Sequence, residues 1–277
     1  MENININDAN GRFSGGEYDS VIINGVAKCD GDVCCKTMEI NGVLKTGSVH
    51  TEALRDNGVF KSHGSVVAES TEVNGTMSIE GGIQTNGLDV NGNLSVNGDL
   101  SAGDTEVSGR LHCSGAASVG HFDCDGLMQV EGCFAAKTIQ ANGMLKVRGN
   151  IEAESIHTDG HISSEAQISA DKIVLNGLVK ADEIVGDEIE ISFSSPANLA
   201  AGILNKLFRS NLQNETKCAN LIEATTIRLE GVCAGVVSGE NVTIGENCRI
   251  DRLDCTGTYT IDPTSTIRIL NGEPYMS

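Results

Sequence analysis

The sequence has no Trp, only three Tyr and six Phe, and three Pro in 277 residues. A core without large rings must be built from small aliphatic side chains packed in a regular way, which favours a repeat architecture over an irregular globule. Basic charge is also scarce: 19 Lys and Arg stand against 38 Asp and Glu, a net charge of −19. A nucleic-acid reader needs a basic footprint to neutralise phosphates, so no nucleic-acid partner is expected. Contact with an anionic membrane surface is limited to a peripheral one for the same reason. No run approaches ~18 continuous apolar residues, so no membrane span is expected. Met1 to Arg12 carry neither a basic nor an apolar signal region, which leads to the expectation of a cytoplasmic protein whose ten cysteines are reduced thiols.

Catalytic signatures are missing as well. There is no G-x-S-x-G elbow, no phosphate-binding glycine loop, no H-E-x-x-H and no C-x-x-C. The expectation is therefore a non-enzyme without cofactor or metal.

Glycine is abundant, at 33 residues, and it is ordered. Asn-Gly pairs end at Gly25, Gly42, Gly58, Gly75, Gly92, Gly143 and Gly177, and Ser or Asp precedes glycine at Gly109, Gly126 and Gly160. The interval is 17 residues throughout, except for 16 between Gly42 and Gly58. Taking each of these glycines as position 0, position 2 holds Ala27, Leu44, Phe60, Met77, Leu94, Leu111, Met128, Leu145, Ile162 and Val179. Position 8 runs from Val33 through Val66, Ile83 and Phe134 to Ile168 and Val185, and position 13 includes Met38, Leu88, Phe122 and Ile173. Each has a smaller or apolar partner two residues on, such as Val96, Ala102, Val107 or Leu175.

Period-two alternation marks half-buried strands. Three short strands per repeat, each with two inward side chains, predict an all-β, right-handed parallel β-helix with triangular coils of about 17 residues. About eleven coils at ~4.8 Å each predict a rod of roughly 50 Å. Corner Asn and Gly are expected to adopt positive φ, and stacked Asn side chains to form a hydrogen-bonded ladder.

The repeat stops near Phe193. Ser195 and Pro196 fit a helix start, and Leu199, Ile203, Leu207 and Phe208 follow helical spacing, predicting a helix over 196–209 and a polar linker to Lys217. The alternative to plain docking on the coils is that this apolar face binds a partner. Alternation returns in Ile222/Ala224, Ile227/Leu229, Val242/Ile244, Cys248/Ile250, Leu253/Cys255 and Ile267/Ile269. The organisation is thus a main β-helix (1–193), an insertion (194–217) and two or three C-terminal coils (218–277).

Cys29, Cys35, Cys113 and Cys124 fall at inward positions, whereas Cys34 and Cys133 point outward; phasing leaves open whether Cys233, Cys248 and Cys255 cluster. His63, His112, His121, His157 and His161 fall outward. Glu69, Glu154, Asp171 and Glu188, near position 11, are expected to form a solvated acidic stripe.

The opening Gly15-Gly16-Glu17-Tyr18 leading into Val21-Ile-Ile-Asn-Gly25, the recurring I-N-G and V-N-G corners, and the run Val237 to Ile250 resemble the bactofilins. These are polymer-forming bacterial cytoskeletal proteins, and the resemblance is to longer Bacillus-type members with a helical interruption. It implies polymerisation through coil ends without nucleotide, and a role in cell shape or envelope organisation with envelope or cell-shape proteins as partners. An end needs pairing or capping. The N-terminal coil is expected to carry only a short polar tail, and the last coil, with Ile261, Ile267 and Ile269, little that serves as a lid. Competing readings are a binding module that uses the insertion and a β-helix enzyme acting on polysaccharide or acyl groups.

Overall fold

A computed structural model describes residues 2–193 and 217–275, in two compact units that divide at residues 149 and 150. Each unit is a parallel β-solenoid, and together they contain about 14 turns. The expected helix over 196–209, with Leu199, Ile203, Leu207 and Phe208, lies outside the described residues. Among the described residues no helix is long and apolar enough to cross a membrane.

In the first unit each coil aligns with the next in parallel register. Val59 pairs with Thr76, Thr76 with Asn93, Asn93 with Arg110, Arg110 with Leu127 and Leu127 with Met144. The alternation of the sequence becomes the alternation of burial: all ten residues at position 2 are buried. Burial of such side chains contributes about 1.5–3 kcal/mol each before chain entropy is subtracted, which makes the six inward files the main source of stability.

Four expectations need correction. First, each regular coil has two hydrogen-bonded strands, not three. A four-residue strand such as Thr76–Ile79 is followed by an eight-residue strand such as Ile83–Val90. The second and third sides fall within one eight-residue strand whose pairing lapses at their corner: Glu69 has no register partner there, and the two adjacent residues Glu69 and Ser70 face outward in Val66–Val73.

Second, the corner glycines do not have positive φ. Among the described residues positive φ occurs at Gly16, Gly31, Gly231, Gly272, Asn247 and Asn271. The column exists for a steric reason instead. A Cβ on Gly42, Gly75, Gly92 or Gly126 would overlap the carbonyl oxygen of the corner glycine one coil earlier.

Third, Val185 is half-buried and Ile184 takes the inward place, opposite Ile168. Val179 still pairs 17 residues back with Ile162, whereas Glu183 pairs 16 back with Gln167, so one residue is lost at the corner between them. The short coil after Gly42 loses its residue at the same corner, where Lys28 pairs with Lys45 but Val33 with Val49. That corner tolerates deletion because its residues face solvent and carry no core side chain.

Fourth, the N-terminus is not a loose tail. Glu2–Ile6 pairs in parallel with Tyr18–Ile23, and Gly11–Ile23 pairs with Val26–Ile40.

In the second unit, Glu183–Ser192 pairs directly with Ala219–Glu230, in register from Glu183 opposite Leu221 to Ser192 opposite Glu230. The strands on either side of residues 194–216 are thus neighbours in the same sheet. Four strands follow the insertion in parallel: Ala219–Glu230, Cys233–Ile244, Arg249–Ile261 and Thr266–Leu270.

Candidate functional site

The asparagine ladder forms as the sequence predicts and starts one coil earlier. Each Nδ2 donates to the Oδ1 of the residue one coil before: Asn24 to Asn7 at 2.8 Å, Asn41 to Asn24 at 2.9 Å, Asn57 to Asn41 at 2.9 Å, Asn74 to Asn57 at 3.0 Å and Asn91 to Asn74 at 3.2 Å. Ser108 interrupts it. Asn142 then donates to Asp125 at 2.9 Å and Asn176 to Asp159 at 3.0 Å.

The inward polar residues have a shared role. Ser62 Oγ donates to the Gly47 carbonyl at 2.7 Å and Thr51 Oγ1 to the Lys36 carbonyl at 3.0 Å, both corner groups of the preceding coil. Cys113 Sγ makes the equivalent contact with Gly98 O at 3.4 Å. The Cys113 thiol is thus more than apolar filler: it adds a second, weaker contact to a corner carbonyl that already accepts the Gly115 N–H at 3.1 Å. Burial pushes the Cys124 thiol up to about 11.

The C-terminal cysteines separate into two places. The Cys218 amide donates to the Cys233 carbonyl at 2.8 Å. Burial first, then the neighbouring Cys233, pushes the Cys218 thiol up to about 12, and Cys248 contributes in the same direction. Cys255 stands opposite Gly239, with its Sγ on the Glu240 carbonyl at 3.2 Å. All ten cysteines are free. Among the described residues no group of three or more His, Cys, Asp or Glu is placed to hold a metal ion. At the corner crowded by histidine, His157 Nε2 lies 3.7 Å from Asp159 Oδ2.

The acidic stripe near position 11 is not continuous. Glu69 is followed one coil later by Asn86, then by Gly103 and Gly120. Glu188 lies one place further along, opposite Lys172, and pairs with it at 3.1 Å.

At the C-terminal end the three proposed residues part company. Ile267 is buried beneath Ile250. Ile261 is inward, opposite Ile244, and stays half-exposed. Ile269 faces outward, because its register partner is the exposed corner residue Arg252; Leu270, opposite Leu253, takes the inward place. A lid is present too. Asn271 and Gly272, both at positive φ, turn the chain back so that Glu273–Pro274 pairs antiparallel with Leu270 and Ile269. Proline has no N–H to offer a further strand, so this stretch of edge is blocked. Beyond it, Thr256 to Thr260 stay exposed.

At the N-terminal end the outer edge of Glu2–Ile6 has no partner among the described residues. Ile4 and Ile6, in register with the buried Val21 and Ile23, stay half-exposed. Phe13 and Tyr18 occupy inward places whose partners one coil on are Cys29 and Cys35. Their rings pack edge to face with centroids 6.0 Å apart, and Tyr18 Oη donates to the Ser14 carbonyl at 2.8 Å. The alternation of Ile4, Ile6 and Phe13 in the sequence was the available signal for this end.

A second feature had no place in the sequence reading. An open groove of about 780 Å³ crosses eight coils of the first unit. Its floor is a file of outward residues that begins Ser20, Thr37, Ala53, Ser70 and Gly87. Its wall is the file two residues on, which includes Arg55, Glu72, Asp89, Glu106 and Asp123.

No family model, no curated protein and no solved structure matches the chain.

Proposed function

We propose that the chain is a non-catalytic, cytoplasmic scaffold that assembles with copies of itself through its solenoid ends, as the resemblance to bactofilins implies, in cell shape or envelope organisation. The observation that carries this reading is the outer edge of Glu2–Ile6, which has no partner among the described residues, together with the half-exposed Ile4 and Ile6 beside it. A parallel solenoid ends in a row of N–H and C=O groups arranged for one more strand, and an incoming edge gains both those hydrogen bonds and the burial of the open inward side chains. The hairpin at Ile269 and Leu270 makes the two ends unequal, which favours the N-terminal end as the principal contact. The charge of −19 opposes association at low salt, so assembly strengthens as salt screens it. Size-exclusion chromatography and electron microscopy of the purified full chain test the proposal. Elongated oligomers or filaments that grow with concentration and salt support it; a strict monomer at high concentration and high salt overturns it.

A further inference from the structure

The groove of the first unit carries an inference independent of self-assembly. We propose that it binds an extended, lysine- and arginine-rich segment of another polypeptide.

The shape comes first. Eight coils at about 4.8 Å per step make a channel roughly 34 Å long, which matches about ten residues of extended chain at ~3.3 Å each. The floor from Ser20 to Gly87 is hydroxyl-bearing or small, so a peptide backbone can approach closely and find hydrogen-bond partners. A Cβ on Gly87 would meet nothing within 4 Å, so the space above it is open.

The charge decides the class of occupant. Arg55 is neutralised by Glu72 at 2.7 Å. Asp89, Glu106 and Asp123 stack on consecutive coils, and Asp104 faces the same way beside them. None of these four carboxylates has an ion-pair partner among the described residues, and Asp89 Oδ1 is buried without a hydrogen bond. Carboxylates held in a concave wall attract cations more strongly than the same charges spread over a convex surface. Nucleic acid and anionic lipid are repelled. A sugar chain would find no outward aromatic ring to stack on, because Phe122 is turned into the core. A second copy does not supply the segment, since no ten consecutive residues of this chain contain more than two Lys or Arg.

The test uses the full chain and a fluorescein-labelled peptide of about nine residues alternating lysine and serine, followed by anisotropy at low and at moderate salt. A glutamate-serine peptide and spermine serve as controls. The expected result is binding of the lysine peptide that weakens with salt, no binding of the glutamate peptide, and displacement by spermine only at far higher charge concentration. Two variants are predicted to weaken binding about tenfold or more: Asp89→Asn with Glu106→Gln, which removes charge, and Gly87→Phe, which fills the channel and removes none. Thermal melts followed by circular dichroism check that both fold, and Ser70→Trp replaces Gly87→Phe if it does not. Unchanged binding in the filled-channel variant, equal competition by spermine, or no binding at low salt overturns the proposal.

Discussion

Asp56 Oδ1 accepts the backbone N–H of Gly58 at 3.1 Å, while Oδ2 of the same carboxyl is buried with no partner. Asp56 is fully buried, at the inward place occupied by Ile40 one coil earlier and Val73 one coil later. Burial raises its pKa from 3.8 to about 6, against a smaller lowering by the Gly58 amide. The folded state therefore holds this proton more tightly than the unfolded state, so the contribution of Asp56 to stability falls as pH rises from about 4 to 6 and levels off above that. Thr158 solves the same corner differently: its hydroxyl accepts the Gly160 N–H at 3.1 Å. Asp56→Thr is predicted to raise stability at pH 7 by about 2–3 kcal/mol relative to the parent and to gain correspondingly less at pH 4.5. Denaturant midpoints at pH 4.5 and 7.5 for the two proteins measure it.

The glycine column makes a sharper steric prediction. Gly92→Ala drives a methyl group into the Gly75 carbonyl and is expected to cost about 3 kcal/mol, at the upper end for overpacking. Gly87→Ala enters open space and should stay within about 0.5 kcal/mol of the parent. Equal shifts in the two denaturant midpoints would contradict the steric origin of the column.

The ladder should respond to repair as well as damage. Asn74→Ala removes the bonds to Asn57 and Glu72 and the one from Asn91, three exposed bonds whose loss costs about 2 kcal/mol. Ser108→Asn restores a rung that can donate to Asn91 and should gain about 0.5–1 kcal/mol. Thermal melting of both variants reads the two directions.

Thiol accessibility checks side-chain direction along the whole chain. Cys34 and Cys133 are exposed, Cys233 is half-buried and the other seven are buried. A chromogenic disulfide reagent should label Cys34 and Cys133 rapidly in the native protein, Cys233 more slowly, and all ten after denaturation. Rapid native labelling of Cys113 or Cys124 would reverse the assignment of inward faces.

Side-chain direction was legible in the sequence because it rests on spacing alone. Phe60, Met77 and Ile162 are buried where the 17-residue interval places them. What stayed hidden depends on neighbours in the next coil. Val185 carries the right spacing, but a one-residue deletion at a solvent-facing corner moves Ile184 into its place. Ile269 continues an alternating run, yet it meets Arg252 at a corner and turns outward. Positive φ was inferred from Asn-Gly chemistry at an isolated turn, whereas here the glycine is demanded by the coil beneath it. The groove was missed because it is made by outward residues; the run of small residues from Ser20 to Gly87 at the coil interval was its only trace.

Sedimentation velocity on the full chain and on the Ile4→Glu/Ile6→Glu variant tests end-to-end assembly most directly. Added carboxylates at the open N-terminal edge should hold the variant as a monomer at a salt concentration where the parent forms elongated oligomers. Indistinguishable sedimentation of the two proteins at every concentration and salt would contradict the account.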